Sequence, residues 1–123
     1  MKIRILILPK FDIGPLGNGI CGEGELFYKE DVEGGTEYEL TGLFPGEELY
    51  VKDGIALTLT HAGKVNTTAT LMAILTDPRF DCSQMLTLSV GCAGTNYECT
   101  TMGDVVLASS YADYDLGHQV IGS

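Results

Sequence analysis

The stretch IALTLTHAGKVNTTATLMAILTDPRFD, Ile55 to Asp81, decides the fold that we predict for this chain. Its first residues are apolar or β-branched and predict a strand. A glycine turn follows, after which Asn66 is a good candidate for a helix N-cap. Pro78 ends the helix, because proline disfavours helical geometry in the residue before it. A strand, a glycine turn and a helix in this order either hold a ligand or simply cross over in an α/β sheet, and both interpretations stay open.

The helix in this stretch carries apolar residues at helical spacing. Ala69, Met72 and Ala73 follow the i, i+3, i+4 pattern of one helix face. Leu71 and Leu75 widen the apolar stripe. We therefore expect Ala69, Met72 and Ala73 to face the sheet.

Further strands are predicted on both sides of this stretch. Lys2 to Leu8 is a continuous apolar run, as expected for a strand buried on both faces of a parallel sheet. Leu49 to Thr60 has the pattern of a hairpin, with Asp53-Gly54 as its two-residue connection. The remaining predicted elements are a short helix over Gly24–Val32, short strands and turns over Gly34–Gly54, a buried strand over Met85–Gly94 and a further strand over Gly103–Asp115. Strands interleaved with a crossover helix predict an α/β fold, and the length of 123 residues predicts one domain, 1–123.

Glycine and small polar residues follow three of the predicted strands. They occupy Phe11 to Gly14, His61 to Asn66 and Gly91 to Thr95. In sheets of this kind ligands collect at the carboxyl ends of the strands. Several glycine-rich strand ends on one edge favour a cleft over isolated turns.

The composition limits the classes of partner. A formal net charge of −10, with only seven Lys and Arg residues, argues against a nucleic-acid partner, because phosphate contacts need clustered cations. No segment approaches the roughly 20 apolar residues that span a bilayer. The apolar run at the N-terminus is too short for a signal peptide. We expect a soluble, cytoplasmic protein without membrane insertion.

Three motifs carry a family resemblance: GKVNTTATLMAILTDPRFD, LSVGCAGT and MGDVVLASSYADYDLGHQ, in order between Gly63 and Gln119. Together they resemble the nucleoside phosphorylase/nucleosidase superfamily, and most closely the purine nucleoside permease family. The resemblance implies a three-layer α/β/α fold with a central mixed sheet. It also implies a small-molecule nucleoside as partner, and cleavage of the N-glycosidic bond by phosphate or water.

The resemblance also implies site residues. The strand end of the G-x-A-G type places Gly91, Cys92, Ala93 and Gly94 against the ribose, and we assign Gly14, at the end of the first strand, to the same substrate pocket. Related nucleosidases carry an E-x-E whose second glutamate activates the attacking water. Glu25 is the matching catalytic base if residues 11–22 are an insertion; the alternative is an exposed acidic side chain.

Departures from the superfamily leave the reaction open. The phosphate-binding arginine expected three residues before a Ser or Thr of the glycine turn is missing, since Ser89 and Cys92 stand there. Phosphate stays open as a co-substrate, while no cofactor and no metal site is expected. The superfamily's ribose-binding Met-Glu pair and its acidic residue for the purine base have no counterpart, so we expect the C-terminal half of the fold to be absent. Alternatives to cleavage are a non-catalytic nucleoside-binding or uptake-related module, and a structural domain that forms a homodimer or higher oligomer.

Several other side chains have two interpretations each. Lys64 either binds an anion at the helix N-terminus or is solvated. His61 and His118, the latter near Asp113 and Asp115, are metal-ligand or acid–base candidates, or exposed loop residues. The cysteines beside the strand after the helix, Cys82 and Cys92, are interpreted as small buried thiols in preference to a disulfide.

Overall fold

A computed structural model of the chain describes residues 1–40 and 48–112. In these ranges the elements follow in the order β1 (Ile5–Leu8), α1 (Glu25–Phe27) with a π-helical turn after it (Tyr28–Val32), β2 (Thr36–Glu39), β3 (Glu48–Lys52), β4 (Ile55–Leu57), α2 (Lys64–Leu75) and β5 (Leu86–Ser89). The short helix predicted over Gly24–Val32 is confirmed, although its second half is π-helical.

The strands form one mixed sheet in the order β2-β3-β4-β1-β5. β1 runs parallel to both of its neighbours, β4 and β5. β3 is antiparallel to β2 and to β4. A mixed five-stranded sheet with two helices in the described residues is an α/β fold, so the predicted fold class is confirmed at that level.

The central position of β1 explains its sequence. Leu6, Ile7 and Leu8 are all buried, as predicted for a strand covered on both faces. Side chains alternate along a strand, so Leu6 and Leu8 lie on one face and Ile7 on the other. The first pair packs in a cluster with Ile74 of α2. Ile7 packs with Val32 of the π-helical turn.

The hairpin β3–β4 turns as the sequence predicts. Asp53 and Gly54 have φ values of 52° and 81°. Positive φ at both central residues is the requirement of a type I′ turn, whose twist matches that of the flanking strands. Pairing of Lys52 with Ile55 brackets this two-residue connection.

The helix α2 exists, but its cap and its buried face differ from the prediction. Gly63, not Asn66, is the N-cap residue, because the glycine adopts φ 97° and the helix starts at Lys64. Asn66 lies inside the first turn, where its side-chain amide donates to the carbonyl of Ala62. The buried residues are Thr70 and Ile74.

The predicted apolar face of α2 is therefore wrong at Ala69 and Met72, whereas Ala73 is half-buried. Met72 is 51% exposed, and Ala69 is also exposed. The face that is buried or half-buried has the same helical period but is rotated, comprising Thr67, Thr70, Leu71, Ala73 and Ile74. A threonine buries its methyl group while its hydroxyl bonds to the helix backbone, so counting threonine as polar misplaced the face. The helix ends at Leu75, before Pro78, as predicted.

Strand β5 is shorter and more exposed than predicted. Its four residues are all exposed, with Leu86 at 59% and Leu88 at 38%. The reason is topological, because β5 lies at the edge of the sheet in the described residues and no further element covers it. The same position makes Cys92 exposed, so its interpretation as a buried thiol is wrong, while Cys82 is half-buried.

The chain divides into two compact units, Met1–Cys92 and Ala93–Ser123. The sheet and both helices belong to the first unit. In the second unit, as far as residue 112, the backbone is irregular. The Asn96 carbonyl accepts the N–H groups of Cys99 and Thr100, both at 3.1 Å. The single domain expected over 1–123 stays a prediction.

The strand predicted over Gly103–Asp115 is wrong for residues 103–112, which contain no strand. Val105 and Leu107 are 90% and 91% exposed. An apolar, β-branched run becomes a strand only when a neighbouring strand accepts its backbone hydrogen bonds. Residues 113–115 lie outside the described part of the chain.

Candidate functional site

The carboxyl ends of the parallel strands β4, β1 and β5 lie side by side at one edge of the sheet. Backbone pairing continues past the strands, since the Thr60 N–H donates to the Pro9 carbonyl at 3.0 Å and the Val90 N–H to the Leu8 carbonyl at 3.2 Å. The expectation that these strand ends share an edge is confirmed for the first unit. This edge is the candidate functional site.

Glu23 connects two of these strand ends. Its Oε1 accepts the backbone N–H groups of Lys10 and Phe11, both at 3.2 Å, directly after β1. Its Oε2 accepts the N–H of Cys92 at 2.8 Å, just beyond β5. One carboxylate thus receives three backbone donors from two segments that are far apart in sequence.

The electrostatics of Glu23 favour the ionised form. Burial by itself would raise the pKa of the carboxyl group. The three backbone hydrogen bonds and the charge of Lys10 outweigh that cost and hold the pKa of Glu23 below its ordinary value. Glu23 is therefore a carboxylate near neutral pH and accepts all three N–H groups.

The contact with Glu23 explains Gly91 of the predicted G-x-A-G strand end. A Cβ atom at this position would lie 2.7 Å from Oε2 of Glu23, too close for a non-bonded contact, so the carboxylate would have to move. The backbone of Gly91 is not left-handed, so a larger residue there would displace the end of the Glu23 side chain rather than strain the backbone. The sequence predicted a glycine that admits a ligand oxygen, and in this structure the oxygen at that point belongs to Glu23.

Lys10 makes a second connection between the same strands. Its Nζ donates to the Leu8 carbonyl at 3.0 Å and to the Ser89 hydroxyl. Desolvation lowers the pKa of the Lys10 ammonium group, and the charge of Glu23 partly restores it. A cation and an anion thus lie together at the ends of β1 and β5, and each holds backbone groups.

Asp12 shapes the loop that carries Glu23. Its Oδ2 accepts the Gly24 N–H at 2.9 Å. A Cβ atom on Gly22 would lie 2.0 Å from Oδ1 of the same carboxylate. The glycines on both sides of Glu23 therefore fit closely against Asp12, which fixes the backbone from which Glu23 projects.

Glu25, the predicted catalytic base, is 3% exposed, so the alternative of an exposed acid is wrong. Its Oε2 accepts the Gly17 N–H at 2.8 Å and its Oε1 accepts the Gly19 N–H at 3.0 Å. Both carboxylate oxygens hold the glycine loop after β1. The observed contacts of Glu25 are structural, and its catalytic role stays a prediction.

The other predicted pocket residues are dispersed. Gly14 has φ 76° and lies in the loop after β1, where the Asn18 amide donates to the Ile13 carbonyl at 2.6 Å. Ala93 and Gly94 belong to the second unit and are exposed. Of the predicted set, the structure brings Gly91 and Cys92 together with Glu23. Assignment of the whole set to a substrate stays a prediction.

The turn between β4 and α2 has its own hydrogen bonds. Thr60 is buried, and its hydroxyl donates to the His61 carbonyl at 3.0 Å and accepts from Thr67 at 3.3 Å. His61 adopts φ 64°, and Lys64, the first residue of α2, is exposed. These bonds account for the geometry of the turn without a ligand. His118, Asp113 and Asp115 lie outside the described residues.

The described residues contain no group of three or more His, Cys, Asp or Glu side chains that could hold a metal ion. The motif at the exit of α2 also has a structural explanation. Arg79 pairs with Asp77 at 2.7 Å, donates to the Glu39 carbonyl at 2.8 Å, and lies over the rings of Tyr38 and Phe80. This motif thus attaches the helix exit to β2.

Sequence reasoning missed Lys10 and Asp12, and it counted Glu23 only as the first glutamate of the E-x-E pattern that ends at Glu25. Two signals were present in the sequence. Lys10 follows the buried run of β1 with only Pro9 between, and Glu23 is enclosed by Gly22 and Gly24. Glycines on both sides of an acid indicate close backbone packing around it.

Comparisons with known proteins identify the family that this chain matches. The chain matches the family model of the purine nucleoside permeases (NUP) over residues 2–122. A probable purine nucleoside permease of Schizosaccharomyces pombe is 31% identical over 119 residues, which is 97% of this chain and 33% of that relative. The chain therefore spans about a third of the length of the curated relative that it matches. No solved structure matches the chain. In the described residues, no helix is long and apolar enough to cross a membrane.

Proposed function

Because this chain belongs to the purine nucleoside permease family, we propose that it is a nucleoside-binding module of an uptake-related protein. The family match over nearly the entire chain is the observation that carries the proposal. It favours the uptake-related alternative over glycosidic cleavage. The relation to nucleoside phosphorylases, the cytoplasmic location and the absence of membrane insertion stay predictions.

We place the nucleoside at the carboxyl edge of β4, β1 and β5. The edge presents backbone groups of the glycine loop together with Lys10 and Ser89, which suits an oxygen-rich ligand such as a ribose. The acidic net charge of −10 also suits a neutral nucleoside better than a nucleotide with its phosphates. The three-layer arrangement implied by the resemblance is part of this proposal, with α1 and α2 on opposite faces of the sheet.

Isothermal titration calorimetry tests the proposal directly. The 123-residue chain is titrated with inosine and adenosine, and with uridine and free ribose as matched controls. We expect saturable binding of the purine nucleosides and much weaker binding of the controls, because a purine offers more apolar surface than uracil or a sugar alone. Absence of binding to both purine nucleosides contradicts the proposal.

Cleavage of the glycosidic bond is the second candidate, and Glu25 is its only predicted base. The burial of this carboxylate is a feature that a catalytic base needs, although two N–H groups occupy its oxygens. The test is release of hypoxanthine from inosine, with and without inorganic phosphate, by the chain and by its Glu25→Gln variant. Turnover that needs phosphate indicates phosphorolysis, and turnover without it indicates hydrolysis. No turnover removes cleavage and leaves binding.

A further inference from the structure

The residues around Glu23 form a connected frame at the candidate site. Asp12 fixes the backbone at Gly24, and Glu23 projects from that segment to Cys92. Its other carboxylate oxygen holds Lys10 and Phe11. The frame therefore joins the loop after β1 to the turn after β5 through one side chain.

Two features connect this contact to the shape of the turn. Gly91 leaves room for the carboxylate, because a Cβ atom there would meet Oε2 at 2.7 Å. Strand β5 itself is exposed along its whole length, and the apolar packing at its carboxyl end comes from Val90, which contacts the cluster of Ile7, Val32 and Leu57. In the described residues of the first unit, hydrogen bonds from Cys92 to Glu23, from Lys10 to Ser89 and from Val90 to Leu8 also hold this turn, and only the first of them reaches Cys92.

We propose that Glu23 is a positioning residue, which holds Gly91 and Cys92 in the conformation that the nucleoside site requires without itself touching the nucleoside. The inference rests on the proposed function, since it assigns Glu23 to the same site. Its oxygens are directed at backbone N–H groups of the protein, so the residue acts through the turn. Glu25, two residues later, holds the glycine loop instead.

The variant Glu23→Gln tests this role with almost no change in shape. The amide keeps one acceptor oxygen and replaces the other by an NH₂ group, which cannot accept a hydrogen bond. The remaining oxygen satisfies more donors when it faces Lys10 and Phe11. We therefore expect the N–H of Cys92 to lose its partner. Glu30→Gln is the matched control, because Glu30 is an exposed glutamate in the π-helical turn and the change in charge is the same.

Amide hydrogen exchange and chemical shifts, measured by ¹H–¹⁵N NMR without any ligand, give the first readout. In Glu23→Gln we expect faster exchange and a shifted resonance at Cys92, with the β1 amides unchanged. A general loss of stability would instead accelerate exchange throughout the sheet. If the exchange rates of Cys92, Lys10 and Phe11 all equal those of the unmodified chain, the inference is overturned.

Calorimetric titration with inosine gives the second readout. We expect Glu23→Gln to bind about tenfold more weakly than the unmodified chain, as loss of a charged hydrogen bond that shapes a site would produce. Glu30→Gln is expected to bind like the unmodified chain. Equal inosine affinity in Glu23→Gln overturns the inference while the proposed function stands. Failure of the unmodified chain to bind inosine or adenosine overturns the proposed function, and this inference with it.

Gly91→Ala provides an independent route to the same contact. Its backbone does not require glycine, so any effect must come from the Cβ atom that pushes against the carboxylate of Glu23. We expect the same change at the Cys92 amide and the same direction of change in inosine affinity. Unchanged Cys92 exchange in Gly91→Ala contradicts the inference even if Glu23→Gln fails to fold.

Discussion

Strands β1 and β5 are adjacent, parallel and in register, yet their environments are opposite. Leu6 pairs with Thr87, and Ile7 with Leu88. Three of the four residues of β1 are buried, whereas all four residues of β5 are exposed. The sequence predicted a buried strand in both places, because both runs are apolar. An apolar run therefore predicts that a strand forms, while its burial depends on what lies on its other side.

Truncation of one leucine in each strand should give the largest difference in the free energy of unfolding between matched variants. Leu6→Ala removes a fully buried side chain from the main cluster, and we expect a loss of about 2–5 kcal/mol in the free energy of unfolding. Leu86→Ala should change it by less than about 0.5 kcal/mol, as for exposed sites in general. Urea denaturation measures both. Similar losses in the two variants would show that β5 is covered in solution.

The helix over β1 provides the next test, because its buried face was predicted incorrectly. Ile74 is buried against Leu6 and Leu8, so Ile74→Ala should destabilise the fold by about 2–3 kcal/mol. Met72→Ala, on the exposed face, should cost less than about 1 kcal/mol. Thermal and urea unfolding compare the two. A larger loss for Met72→Ala would restore the face predicted from the sequence.

The hydrogen bonds of Lys10, which connect β1 to β5, should contribute less to the free energy of unfolding than the buried side chains do. Lys10→Met keeps the apolar stem of the side chain and removes its bonds to Leu8 and Ser89. We expect a loss of about 0.5–1.5 kcal/mol in unfolding free energy. Lys29→Met is the control, since Lys29 is exposed on the π-helical turn. Equal stability of the two variants would mean that Lys10 does not connect β1 to β5.

The smallest expected effect is a dependence on pH. Because the pKa of Glu23 is lowered in the folded state, its contribution to stability is complete above the ordinary carboxyl pKa of 4.5. That contribution is lost as the pH falls through the lowered value. Urea midpoints of the chain and of Glu23→Gln should therefore differ at pH 6 and converge in acid. A difference that persists or grows below pH 3 would contradict the assigned ionised state.

The shared edge of the strand ends was predictable from the sequence, but the hydrogen bonds along that edge were not. Glycine-rich strand ends indicated a common edge, because parallel strands bring their carboxyl ends together. The roles of the two glutamates were not predictable, since Glu23 acts on Cys92 and its partner is 69 positions away. Glu25 was predicted to be a catalytic base or an exposed acid, and only the folded loop supplies the two N–H groups whose hydrogen bonds it accepts.

The sequence alone determined the local elements of this protein. The Asp53-Gly54 pair specified the hairpin, because both residues tolerate positive φ, and the proline after α2 limited the helix. The tertiary structure decided which faces are buried and which carboxylates bind which backbone groups. Burial and long-range hydrogen bonds depend on neighbours that are distant in the chain, whereas turns and helix ends depend on residues within a few positions. That difference in range explains why β1 was predicted correctly and the environment of β5 was not.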